Sequence, residues 1–221
     1  MKNSKLRRVL LLLACAVMLV SLSVGATLAY LTGKDEVVNT FTVGEVYIEL
    51  DEADVDNTTT TPNEGANHIG RDKANTYHIL PHATFDKDPI VWVKETSEKA
   101  YLYIQVTNEI ADIEVQDDEN RPTVDVQILA NNWTKMSTNG DTTVYYKVFD
   151  PTVEKTQENF NIDWKFDTFT HVYIADHLNS ADIAEYNQAT VVVNAYAIQY
   201  AGFEEKPADA WAALNAQLEA E

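Results

Sequence analysis

Alternation of apolar and polar residues, repeated along most of the chain, is the feature that most restricts how this polypeptide can fold. Val46, Ile48 and Leu50 alternate with Glu45, Tyr47 and Glu49, and Leu102, Ile104 and Val106 with Tyr101, Tyr103 and Gln105. Successive side chains of a strand point to opposite faces, so this pattern builds strands with one face in a core, whereas helical spacing would return an apolar residue roughly every 3.6 positions. Val124, Val126 and Ile128 continue the pattern, as do Val144, Tyr146 and Val148, and Phe160, Ile162, Trp164 and Phe166. Asn139-Gly140-Asp141 reads as the turn of a hairpin. Ile90-Val91-Trp92-Val93 is apolar on both faces, and Val191 to Tyr200 reads as a nearly continuous buried strand. So many strands at this spacing predict an all-β fold, a β-sandwich.

Helical pattern is confined to Ser180 to Tyr186 and to a C-terminal helix over 207–219. In the latter, Pro207 suits a first turn and Trp211, Leu214 and Leu218 share the face expected to pack on the sandwich. The polar, acidic stretches Asp51 to Asn75 and Ala111 to Arg121 read as long loops, where binding sites often lie.

The N-terminus has a different character. Lys2, Lys5, Arg7 and Arg8 precede twelve uninterrupted apolar residues, Val9 to Val20, and the chain then turns to small residues ending in Thr27-Leu28-Ala29. This is the order of a secretory signal peptide with a signal helix, and Thr27 and Ala29 fit the two small-residue pockets of a signal peptidase, leaving Tyr30 as the new N-terminus. The other reading is an uncut membrane anchor, since the uncharged run from Val9 to Gly33 is long enough to span ~30 Å of hydrocarbon at ~1.5 Å per residue. The predicted organisation is therefore a leader over 1–29, an N-terminal segment over 30–44 and a β-sandwich domain over 45–221.

Charge excludes several partners. The chain carries 16 Lys plus Arg and 35 Asp plus Glu. Residues 1–29 hold four of the basic residues and no acidic one, so the exported part has 12 basic against 35 acidic residues, a net charge of −23. Nucleic acid and anionic membrane surfaces are unfavourable partners for such a chain, leaving the uncleaved leader as the membrane contact. The single cysteine, Cys15, lies in the leader, so the exported domain depends on its core and not on disulfides.

Catalytic patterns are missing. No His-Glu-x-x-His, Gly-x-Ser-x-Gly or phosphate-binding loop occurs, and Pro81 prevents His78 and His82 from sharing a helical face. No catalytic, cofactor or metal residue is assigned. The one cation considered is calcium, because Asp51 to Asn57 and Asp117 to Asn120 gather hard oxygen ligands; neither stretch has the spacing and glycine of an EF-hand loop, and solvated acidic loops are the preferred reading.

At Gly25-Ala-Thr-Leu-Ala-Tyr-Leu-Thr-Gly-Lys-Asp and Asn39-Thr-Phe-Thr-Val-Gly-Glu-Val-Tyr-Ile-Glu-Leu the chain resembles the TasA and camelysin family of exported proteins, whose leaders are cut by the dedicated signal peptidase SipW. The resemblance continues through Ile79-Leu-Pro-His-Ala-Thr-Phe-Asp-Lys-Asp-Pro, Ala195-Tyr-Ala-Ile-Gln-Tyr and Ala210-Trp211, with His82 standing where relatives commonly have glycine. It implies a jelly-roll sandwich that is secreted and polymerises into biofilm-matrix fibres. Each subunit would donate its new N-terminal strand, here Tyr30, Leu31, Val37, Val38 and Phe41, to a neighbour. Signal peptidase and an accessory matrix protein are the further partners it implies. A monomeric surface or secreted binding module of the same fold is the alternative, and a camelysin-like metalloprotease is a third reading for which no catalytic motif is present.

Overall fold

The computed structural model describes residues 45–56, 71–73, 75–116, 118–153 and 163–219, all within the second of two units into which the chain divides, residues 43–221. In chain order the strands are β1 (Ile48–Ala53), β2 (Arg71–Asp72), β3 (Thr84–Asp86), β4 (Ile90–Val93), β5 (Ala100–Asn108), β6 (Thr134–Asn139), β7 (Thr142–Phe149), β8 (Trp164–Asp167), β9 (His171–Tyr173) and β10 (Val191–Gln199). Among the described residues three α-helices accompany them: α1 (Val124–Ala130), α2 (Ser180–Ala184) and α3 (Pro207–Leu218). One four-stranded sheet has the order β2-β1-β4-β8 and a second β10-β5-β7-β6, with β3 and β9 forming a small ribbon. Every pairing is antiparallel. The expected all-β class and C-terminal helix are therefore present.

The alternating residues do what their period requires. Leu102, Ile104 and Val106 of β5 and Tyr145 and Phe149 of β7 face Val91 and Val93 of β4 and Phe166 of β8 in one apolar core. The other face of β5 carries Tyr101 and Tyr103 into a second cluster, which α3 covers with Ala210 and Leu214. Gly140, at φ +57°, turns β6 into β7, with Asn139 opposite Thr142. An L-residue with a side chain is strained at that φ, which is why glycine occupies the turn.

Three expectations are corrected. Val124, Val126 and Ile128 lie on a helix, α1, and not on a strand: Val124 and Ile128 are buried while Val126 is half exposed. Thr123 caps the helix by accepting from the Val126 N–H, and the buried Glu114 carboxylate accepts from the Val124 N–H at 2.8 Å. Local capping outweighs an alternation only three apolar residues long. Asp51 and Glu52 belong to β1 and are buried, not part of a solvated loop. Likewise, Ala111 to Ile113 form a 3₁₀ turn and Ile113, Glu114 and Val115 are buried. On α3 it is Ala210 and Leu214, flanked by Trp211, that pack, and Leu218 is exposed.

Candidate functional site

β10 is the outermost strand of its sheet among the described residues. The Glu109 N–H donates to Thr190 O at 3.1 Å and the Tyr200 N–H to Lys99 O at 2.9 Å, which places the backbone groups of the even-numbered residues of β10 toward β5. Antiparallel ladders alternate, so the N–H and C=O of Val191, Val193, Ala195 and Ala197 point away from β5, to the side on which no described strand pairs. The side chains of these same residues are half-buried against the main core.

Beside that edge runs a groove of about 1220 Å³. Its walls are Ile48 to Glu52 of β1 and Val191 to Tyr196 of β10. Six strand residues at ~3.3 Å each make it about 20 Å long, and it exceeds the ~300–1,000 Å³ typical of small-molecule pockets. Ile48, Leu50, Ile79 and Phe85 line it from one side and Val191, Val193 and Ala195 from the other. All seven pack on the core while remaining partly exposed. The shape and chemistry suit an extended, apolar-alternating peptide: ladder groups on one wall, and slots for every second side chain. β10, expected to be a nearly continuous buried strand, is instead half-buried and forms one wall of this groove.

One end of the groove is ionic. Arg71 donates through Nε to Asp51 Oδ1 at 2.5 Å and through Nη1 to Asp88 Oδ2 at 3.0 Å, and its Nη2 reaches the carbonyls of Asp51 and Asp88. Burial works against its charge, but the two carboxylates outweigh that and hold the guanidinium above its ordinary range. Trp92 Nε1 donates to the same Asp51 oxygen at 2.8 Å. Lys87 Nζ lies 2.5 Å from Glu52 Oε2, and Asn75 Nδ2 donates to Glu52 Oε1 at 2.9 Å. No charge-pairing role was legible for Arg71, Asn75 or Lys87, the last of which stood out only as part of the segment Ile79 to Pro89. The available signal was the need of two acidic residues inside an alternating strand for buried cations.

Asp51 and Glu52, considered for calcium, are thus bound to Arg71, Trp92, Lys87 and Asn75. Asp118 accepts from Arg121 at 3.0 Å, and Asp117 lies outside the described residues. No group of three or more His, Cys, Asp or Glu suited to a metal occurs among the described residues. His82 takes φ +63°, the left-handed turn that glycine adopts freely, with Nδ1 3.2 Å from Asp176. His78 is exposed. The cleavage residues Thr27, Ala29 and Tyr30 and the donor residues Leu31, Val37, Val38 and Phe41 lie outside the described residues, as do Phe160 and Ile162. Compared with known proteins, the chain matches no family model, no curated sequence and no solved structure.

Proposed function

We propose that this chain is an exported fibre subunit, similar to the TasA and camelysin proteins, that polymerises by placing its freed N-terminal strand in the groove of the next subunit. The observation that carries the reading is the edge of β10: outward backbone groups at Val191, Val193, Ala195 and Ala197 beside partly exposed core side chains. A strand laid there forms ladder bonds and completes the core at once. Residues 30–42 alternate apolar and polar only in part, with Tyr30-Leu31 and Val37-Val38 and Phe41 as anchors around Thr32 to Glu36. Cleavage after Ala29 is the switch, because a strand still tethered to a membrane helix cannot be donated. The finer description of the sandwich as a jelly roll belongs to this proposal, as do secretion and the extracellular matrix as its destination.

Electron microscopy of protein beginning at Tyr30, of the same protein lacking residues 30–42, and of an Ala195→Pro variant tests the reading. Proline at Ala195 removes an N–H that points away from β5, so the sheet keeps its own bonds and the monomer keeps its circular dichroism. Fibres are expected from the first protein alone. Globular particles from all three, or fibres that survive Ala195→Pro, overturn the proposal.

A further inference from the structure

The Glu52, Asn75 and Lys87 cluster has the parts of a reaction as well as those of an ion pair. The three residues come from different segments: Glu52 from β1, Asn75 from the stretch after β2, and Lys87 from the link between β3 and β4. The side chains of Lys87 and Glu52 are only 11% and 7% exposed. One carboxylate holds both of the others, Oε2 at 2.5 Å from Lys87 Nζ and Oε1 at 2.9 Å from Asn75 Nδ2. The Asn75 amide is fixed on all sides, since Nδ2 also donates to Ala53 O at 2.8 Å and Oδ1 accepts from the Val55 N–H at 2.9 Å. Lys87 Nζ sits 5.6 Å from the centre of the Tyr77 ring. An amine, a carboxamide, a shared acid–base group and an N–H on the carboxamide oxygen therefore meet at one place, with the amine and the carboxylate nearly buried.

We propose that Lys87 and Asn75 are the substrates of an intramolecular amide-forming reaction that cross-links the side chains, with Glu52 as acid and base. The step balances without a co-reactant. Glu52 takes a proton from Lys87 Nζ, and the neutral amine attacks Asn75 Cγ, forming the Nζ–Cγ bond while the carbonyl electron pair moves to Oδ1. The Val55 N–H stabilises the charge developing there, as an oxyanion donor does. Collapse breaks the Cγ–Nδ2 bond. Glu52 hands the leaving nitrogen its proton, takes up the one shed by Nζ, and is restored as a carboxylate when the nitrogen departs as ammonium. Glu52, Asn75 and Lys87 all line the groove, which gives ammonium a way out. Holding the amine and carboxamide on one carboxylate converts a slow bimolecular aminolysis into an intramolecular one. The product would be a covalent tie in a domain without cysteine, and it stands independently of the fibre reading.

The test is mass spectrometry of the full chain, expressed and purified folded, after denaturation and digestion with trypsin. Asn75 and Lys87 then fall in one peptide, residues 74–94, because cross-linked Lys87 is not cut. The expected result is that peptide intact and lighter than its sequence by one ammonia, ~17 Da. Lys87→Arg preserves the cation but not the nucleophile, and Glu52→Gln preserves the shape but not the base; both should show the unmodified mass. Cleavage after Lys87 with products of sequence mass in the unsubstituted protein overturns the proposal, a result that needs no variant to fold. Persistence of the lighter peptide in Glu52→Gln overturns the role of Glu52.

Discussion

Asp150 ends the long strand β7 and is held by three donors: the hydroxyl and N–H of Thr152, at 2.6 and 2.9 Å, and Lys99 Nζ at 2.9 Å. The Thr152 hydroxyl, then Lys99, lower its carboxyl from the ordinary 3.8 to about 2. A carboxylate depressed by folding binds fewer protons in the native state, so its stabilisation is present above the unfolded value and is lost as pH falls toward the folded one. Asp150→Asn should therefore flatten the loss of stability between about pH 4 and about pH 2, read from urea midpoints along an acid series; an unchanged slope would remove Asp150 from the account. Glu114 has the opposite sign. Burial raises its carboxyl above the ordinary 4.5 despite the Asn108 and Val124 donors, so acidification through its pKa favours the folded state. Neither residue stood out in the sequence, because an acid's partners are set by which loops meet. His82 sits at φ +63°, in the left-handed region, which its identity in the sequence did not announce.

Among the elements, the strands were legible wherever alternation ran long and a turn residue bounded it, as at β5 and at the β6–β7 hairpin. α1 was misread for a physical reason. Val124 and Ile128 fit either period while Val126 fits only the strand's, and the decision came from Pro122-Thr123 as a start signal and from Glu114, ten residues upstream, accepting the Val124 N–H. α3 was read correctly as a helix, but its contact face was drawn a turn too far. Tyr103 donates to Pro207 O at 2.6 Å and Tyr101 to Phe203 O at 3.1 Å, anchoring the N-terminal end, while the Trp211 ring lies tilted with its centre 5.0 Å from that of Tyr103. Truncating Leu214 to alanine should cost about 2 kcal/mol or more, whereas Leu218→Ala should stay within about 0.5 kcal/mol. Chemical denaturation followed by Trp fluorescence distinguishes them, and equal costs would show that the helix packs along its whole length.

For the whole molecule, charge and the groove act against each other. The part after residue 29 carries −23, so bringing copies together costs electrostatic work that the groove's apolar walls and ladder bonds must exceed. Lowering the pH from 8 toward the sequence pI of about 4.5 reduces the net negative charge, which lowers the repulsion. Protein beginning at Tyr30 should polymerise faster at pH 5 than at pH 8, with added salt narrowing the gap by screening. Light scattering that rises equally fast at both pH values would show that charge does not govern assembly.

The order of residues alone determined that this chain is mostly strands, that it closes with a helix, and that it is acidic outside its first 29 residues. These follow from period, turn chemistry and composition, which act over a few neighbours. Only the tertiary structure decided that β10 is the outer strand among the described residues and not a centre, that Asp51 and Glu52 are buried beside Arg71 and Lys87, and that Asn75 shares a carboxylate with Lys87. Sheet order and side-chain pairing depend on contacts between segments far apart in the chain, and no local pattern encodes which of several similar strands is left without a neighbour.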